Sequence, residues 1–185
     1  DVYKRQALRA RMREVQVGHA LAAGTDIGPV INQRQLEMIQ RYIAVGKDEG
    51  ARLIEGGNVL ERSTPGFFMA PTLFVDTRND MRINREEVFG PFATVIRARD
   101  YEEALALAND TEYGLSAGIC TQSHKHATHF RLNVKSGLAM VNLPTAGLDY
   151  HVPFGGTKGS SFGPREQGSY AADFYTLTKT AYIGH

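Results

Sequence analysis

Four stretches of this sequence carry residue types that could do chemistry. In Glu86-Glu87-Val88-Phe89-Gly90-Pro91, two carboxylates precede an aromatic ring and a Gly-Pro turn. An ionised carboxylate only accepts hydrogen bonds, so the vicinal hydroxyls of a ribose suit it, and an aromatic ring gives a heterocycle a flat surface to pack on. Local composition alone favours a plainer alternative, a solvated Glu pair at a helix end beside a core Phe. The second stretch, Pro153 to Gly168, holds five glycines ahead of a short helical pattern. Glycines let a backbone approach a ligand or another subunit closely. Lys158 precedes Gly159 instead of following a glycine before Ser or Thr, so the stretch is no Walker A loop, and its spacing is not a dinucleotide fingerprint. A long ordered connection between two packed bodies is the structural alternative.

The other two stretches point away from chemistry. Of His124, His126 and His129, only the last two share a helix face, and no Cys or carboxylate stands near them, so surface histidines are expected and no metal site. Cys120 is the single cysteine and cannot form an internal disulfide. It is expected as a buried or half-buried structural residue of a strand.

The elements that must position these groups alternate in type. Leu36, Ile39, Tyr42 and Ile43 recur at helical spacing after Asn32, which with Gln35 can cap the helix start. Leu53 and Ile54 lie in a short strand between glycines, and Phe67 to Val75 reads as a second extended segment whose Pro71 suggests an edge or a bend. Pro91 to Arg97 reads as a strand, Asp100 with Glu103 caps a helix through Asn109, and Leu115 to Thr121 is again extended. Ser123 to Val134 places Ala127, Phe130 and Val134 on one helical face before a strand from Leu138 to Leu143. This β-α-β-α-β order predicts an α/β fold with a largely parallel sheet and flanking helices. A short helix near Tyr170 to Tyr175 and a β-prone tail, Thr176 to Ile183, complete the pattern.

Composition bounds the partners. With 21 Lys and Arg against 20 Asp and Glu in 185 residues, and no basic run, neither nucleic acid nor an anionic membrane is the expected partner; a small molecule is. No apolar run approaches the roughly 18 residues that span a bilayer. One cysteine and no secretory pattern at the front suit a reducing cytoplasm. The chain lacks an initiator Met, and the helical stretch Gln6 to Val15 begins as if in mid-element, so a preceding segment is expected. Asp1 to Gln6 shows no pattern joining it to the residues after it, so its origin stays open and no structural weight is placed on it.

Six segments in register resemble the aldehyde dehydrogenase superfamily across nearly the whole chain. They are Thr25-Asp26-Ile27-Gly28-Pro29, Gly66 to Thr72, Glu86 to Pro91, Ala108-Asn109-Asp110 with Tyr113-Gly114-Leu115, Val141-Asn142, and Pro153 to Gly156. The resemblance implies the C-terminal portion of the family's catalytic domain. Residues 1–155 would be part of that domain, 156–175 a Gly-rich loop and helix crossing toward a cofactor domain, and 176–185 a β oligomerisation strand. It implies NAD or NADP as cofactor, Glu87 holding the nicotinamide ribose, and Phe89 packing beside the nicotinamide. Phe154 matches a substrate-tunnel aromatic, and Leu148 falls where another tunnel wall residue is expected.

The family reaction uses a Cys thiolate and a Glu base, neither of which this chain supplies. No catalytic residue is therefore assigned, Cys120 included, and the chain alone is expected to be inactive. The stretches Asn142 to Pro153 and Gly163 to Gly168 are similar to dehydrogenases of 2-oxoglutarate semialdehyde, also called 2,5-dioxopentanoate. The family more commonly has Ser-Gly-x-Gly-Arg-Glu in the second; here Ser161 replaces a Gly and Pro164 is inserted. Tyr150 or His151 could donate a hydrogen bond to a substrate carboxylate, with loop packing as the alternative. The likeness implies an aldehyde substrate and a homo-oligomer. A reading from another class also stands: a binding or oligomerisation module with the same partial fold and no chemistry.

Overall fold

The computed structural model describes residues Val2 to Gly184 and divides into two compact units, one ending at Arg97 and one beginning at Ala98. The first unit starts with α1 (Val2–Glu14), which includes the helical stretch expected from Gln6 and extends it back through residues 2–5. Lys, Arg, Gln, Ala and Leu are strong helix formers, so this segment needs no apolar stripe to be helical. Its Arg9 and Arg13 donate to the Glu55 carboxylate at 3.1 and 3.0 Å.

Helix α2 (Gln33–Asp48) begins where the cap predicts: Asn32 is extended and its side chain accepts from the Gln35 N–H at 2.9 Å. Leu36, Ile39, Ile43 and Gly46 form its buried stripe. Strands β1 (Arg52–Glu55), β2 (Val59–Leu60), β3 (Phe68–Met69) and β4 (Thr72–Thr77) follow, then the single turn α3 (Arg82–Arg85) and β5 (Phe92–Ile96). Strand β4 lies between β1, to which it is antiparallel, and β5, to which it is parallel. The short β2 pairs with β3. Pro71 therefore marks a bend between β3 and β4, not an edge: β4 is central, and the proline stands outside it, where its missing N–H costs no ladder bond. The buried stripe of α2 meets Phe74, Met69, Ala51, Met81, Ile83 and Val88 in one apolar core, with Phe74 and Phe92 rings 5.4 Å apart.

The second unit runs α4 (Tyr101–Asn109), β6 (Ser116–Ile119), α5 (His124–Asn133), β7 (Leu138–Val141). Asp100 accepts from the Glu103 N–H at 2.8 Å and Ser123 from the His126 N–H at 3.2 Å, so both helices start at capping side chains. Strands β6 and β7 are parallel, Ser116 opposite Leu138 through Ile119 opposite Val141, with α5 between them in sequence. Phe130 is buried, whereas Val134 has left the helix as its extended C-cap. After β7 come two 3₁₀ turns (158–160 and 168–170), then α6 (Ala171–Tyr175). Residues 176–184 form no strand within the chain. Among the described residues, no helix is long and apolar enough to cross a membrane. Sheets with flanking helices make the α/β class expected from the element order.

Cys120 departs from expectation. It is exposed, because β6 stops at Ile119 and the thiol sits on the turn toward α5.

Candidate functional site

The loop from Glu86 to Pro91 leaves α3 and enters β5, and each of its residues is held differently. Glu86 is no free carboxylate. Arg82, one turn earlier, donates to it at 2.7 and 3.0 Å, and the Tyr42 hydroxyl from α2 donates to the same group. The guanidinium first and the phenol second pull its pKa down from 4.5 to about 2. Glu87, by contrast, is exposed and makes no hydrogen bond or ion pair among the described residues. Val88 is buried in the core cluster.

Phe89 comes next with φ +50, the left-handed region that a bulky side chain rarely adopts, and its ring is 72% exposed. The plainer alternative of a core Phe is thereby corrected: the core takes Val88, and Phe89 is turned outward. Two contacts hold this geometry. The Gln35 side-chain amide donates to the carbonyls of Val88 and Phe89 at 3.0 and 2.7 Å. Gly90 lies so close to Ile39 that a Cβ there would overlap the Ile39 δ-methyl. Pro91 O then accepts from the Thr72 N–H at 2.8 Å, tying the loop to β4. The result is a carboxylate with unused acceptor capacity, two residues from an exposed ring on a fixed backbone. This fits a ribose diol and an attached aromatic ring.

The other predicted residues lie in the second unit. Phe154 is half-buried and exchanges both backbone hydrogen bonds with Glu166, N to O at 2.7 and 3.0 Å, so the Gly-rich stretch is a closed loop within that unit. Inside the loop, Arg165 donates to the Gly156 carbonyl, and the Ser161 hydroxyl accepts from the Gly156 N–H at 2.6 Å. Lys158 spends its ammonium on the carbonyls of Asn109 and Thr111 at 2.8 and 3.0 Å, behind α4. It therefore acts as a helix-end clamp. Leu148 is half-buried; His151 is exposed, its ring edge-on to Tyr150 at 5.6 Å.

Sequence reasoning missed two polar clamps. Gln35 was legible as a capping partner but not as the holder of a loop 54 positions away. Asn142, just past β7 at φ +56, accepts from the Thr121 N–H at 2.8 Å and donates to the Thr121 carbonyl at 2.9 Å. Its position after a strand and the tolerance of Asn for left-handed backbone were the available signals. The histidines take part in an aromatic contact: His126 stacks on Tyr101 at 4.4 Å, and His129 Nδ1 lies 2.8 Å from the Tyr101 hydroxyl. Among the described residues, no three His, Cys, Asp or Glu side chains gather as a metal site.

The sequence model described as "Aldehyde dehydrogenase family" matches residues 3–181. Alpha-ketoglutarate semialdehyde dehydrogenase of Haloferax volcanii is 48% identical over 164 residues, covering 86% of this chain and 34% of that protein. The 2,5-dioxopentanoate dehydrogenase of Saccharolobus solfataricus is 40% identical over 187 residues, covering 100% of this chain and 38% of that protein. Among solved structures, betaine aldehyde dehydrogenase from Staphylococcus aureus in complex with NAD+ superposes with a TM-score of 0.87 at 32% identity, over 95% of this chain and 35% of that one. The NAD+ complex of an aldehyde dehydrogenase from Bacillus cereus gives 0.88 at 36%, over 96% and 35%. The chain thus spans about a third of the length of the relatives it matches.

Proposed function

The chain belongs to the aldehyde dehydrogenase family, and we propose that the protein carrying it oxidises 2-oxoglutarate semialdehyde to the dicarboxylate with NAD or NADP. The observation that carries the cofactor half of this reading is the Glu87–Phe89 arrangement: an unpartnered carboxylate and an outward ring on a clamped backbone. Two relatives named for this same aldehyde support the substrate half.

The reaction takes up water, transfers a hydride, and releases the carboxylate, the reduced cofactor and two protons. NAD(P) supplies the hydride acceptor. The Glu87 carboxylate accepts from the two ribose hydroxyls, which fixes the sugar and so limits rotation of the attached ring. Phe89 offers a face that shields one side of the nicotinamide from water. Phe154 and Leu148 form apolar wall for the aldehyde. The exposed His151 imidazole donates to the far carboxylate of the substrate, a group that a simple aliphatic aldehyde lacks. The covalent steps that the family likeness implies, a thiohemiacetal and then a thioester on a cysteine, fall to groups this chain does not supply. By itself the chain is proposed to be inactive. Residues 176–183, outside any helix or strand and with Leu177, Tyr182 and Ile183 almost fully exposed, are proposed to pair with a neighbouring subunit of a homo-oligomer. Cytoplasmic residence fits the single thiol.

Replacing Glu87 with Gln in the full-length protein tests the reading. An amide accepts fewer and weaker bonds from a diol, so hydride transfer should slow by about tenfold and the cofactor should bind less tightly. Unchanged turnover and affinity would remove Glu87 from the site. Turnover of butanal as fast as that of the semialdehyde would remove the proposed substrate.

A further inference from the structure

Among the described residues of the second unit, three other than glycine take a positive φ: Asn142 at +56, Lys158 at +54 and Gln167 at +71. Two of them use their side chains to hold the fold. Asn142 grips Thr121 twice, and Lys158 donates to the carbonyls of Asn109 and Thr111. Gln167 does neither: its side chain makes no hydrogen bond among the described residues, and its Oε1 is buried without a donor. Its φ of +71 with ψ of 162 is the mirror image of the extended chain, a region that is essentially glycine's. Glycine would sit there without strain, in a stretch where positions 155, 156, 159, 163 and 168 are glycine already. For folding alone, a strained backbone carrying a buried, unpaired amide is a double loss.

The residues on either side locate the amide. Glu166, just before it, exchanges both backbone hydrogen bonds with Phe154 at 2.7 and 3.0 Å. Gly168, just after it, packs so closely that a Cβ there would overlap the His151 carbonyl. Gln167 therefore stands at the step between Phe154 and His151, the residues proposed above to wall the aldehyde and to meet its far carboxylate. A half-turn about the last side-chain bond exchanges the C=O and NH₂ ends of the amide, so the same spot can present a donor. A 2-oxo-carboxylate carries only acceptor oxygens, and would face the NH₂. We propose that Gln167 is a specificity-determining residue whose amide NH₂ donates to the 2-oxo-carboxylate end of the substrate beside His151. The inference rests on the substrate reading above. Strain and an unpaired amide are what the free protein carries for a contact made only when that substrate is bound.

The test sets stability against specificity in the full-length protein. The readouts are kcat and KM for 2-oxoglutarate semialdehyde and for butanal, which has no polar far end, together with the unfolding midpoint. Gln167→Gly relaxes the backbone and removes the amide. It should raise the midpoint and yet raise KM for the semialdehyde about tenfold, as for a lost hydrogen bond to a charged group, with the loss falling on KM more than on kcat. KM for butanal should shift far less. Gln167→Leu keeps a side chain and its strain without the amide, and should show the same loss for the semialdehyde with no gain in midpoint. Gln167→Glu sets a carboxylate against that of the substrate and should raise the same KM further. A semialdehyde KM that holds at the wild-type value in Gln167→Gly and Gln167→Leu would overturn the proposal, as would equal rises for the two aldehydes. A midpoint that falls in Gln167→Gly would make the side chain part of the fold and would also overturn it. If His151→Ala raises KM for the semialdehyde and no Gln167 variant does, this inference fails while the substrate reading survives. If the wild type handles butanal as well as the semialdehyde, both fall.

Discussion

The two units hold their loops in place with different materials. In the first, Ile39, Phe74, Leu73 and Met69 are fully buried, and the Glu87–Phe89 loop is anchored on them through Val88 and Gly90. In the second, Phe130 is the one buried large apolar side chain among the described residues, and Leu132, Leu143, Tyr150 and Phe162 are mostly exposed. There the work falls to polar clamps. The Thr157 hydroxyl lies 2.7 Å from the Lys135 carbonyl, the Ser160 hydroxyl accepts from the Gly114 N–H at 2.9 Å, and Asn142 grips Thr121 twice. Close backbone packing adds to this, since a Cβ on Gly137 would overlap the Gly155 carbonyl. A dry core spreads its stability over many contacts, whereas a clamp concentrates it in single hydrogen bonds.

The contrast can be broken from its strongest side first. Ile39→Ala removes a fully buried side chain that also backs Gly90, and should cost about 2–5 kcal/mol in denaturant unfolding. A loss under about 1 kcal/mol would mean that the first unit does not rest on this core. Next, Asn142→Ala gives up two hydrogen bonds and forces alanine into the left-handed region, for about 2–3 kcal/mol. Asn142→Gly gives up the bonds alone, for about 1–2 kcal/mol. Equal losses in the two would show that backbone strain plays no part there.

The smallest effect comes from acid. Glu86 has its folded pKa depressed to about 2 from 4.5, so its contribution is present above pH 4.5 and is lost as the pH falls through 2. Its side chain is 40% exposed, so solvent screening keeps the contribution small. Unfolding free energy measured from pH 5 down to pH 2 should fall less steeply in Glu86→Gln than in the wild type. Identical slopes would detach Glu86 from the acid response.

What was legible in the sequence was local or periodic. The caps Asn32 with Gln35 and Asp100 with Glu103 are separated by three residues, and the α2 stripe repeats at three and four, so both could be read directly. What was hidden depends on distance along the chain or on backbone sign. Nothing in the letters Val-Phe-Gly says that Phe89 sits at positive φ, or that an amide 54 residues earlier holds it there. Cys120 was misread because a strand's apolar run does not disclose its last residue, and one position decides between burial and exposure at a strand end. The place proposed for the Phe89 ring beside a nicotinamide comes from likeness to a family, not from a physical pattern in the sequence. The role proposed for Glu87 rests on that likeness together with an exposed carboxylate that makes no hydrogen bond among the described residues.

Asn142 carries one more consequence. Its side chain presents the same donor and acceptor that a peptide unit would, so the β6–β7 ladder gains a final rung made of side-chain atoms while the main chain is already turning away. That rung has a chemical lifetime that a true peptide rung lacks. Hydrolysis of the amide, taking up water and releasing ammonia, would leave a carboxylate whose oxygen would face the Thr121 carbonyl in place of the Nδ2 donor. At this one position, the ageing of a single functional group is written directly into the end of a sheet.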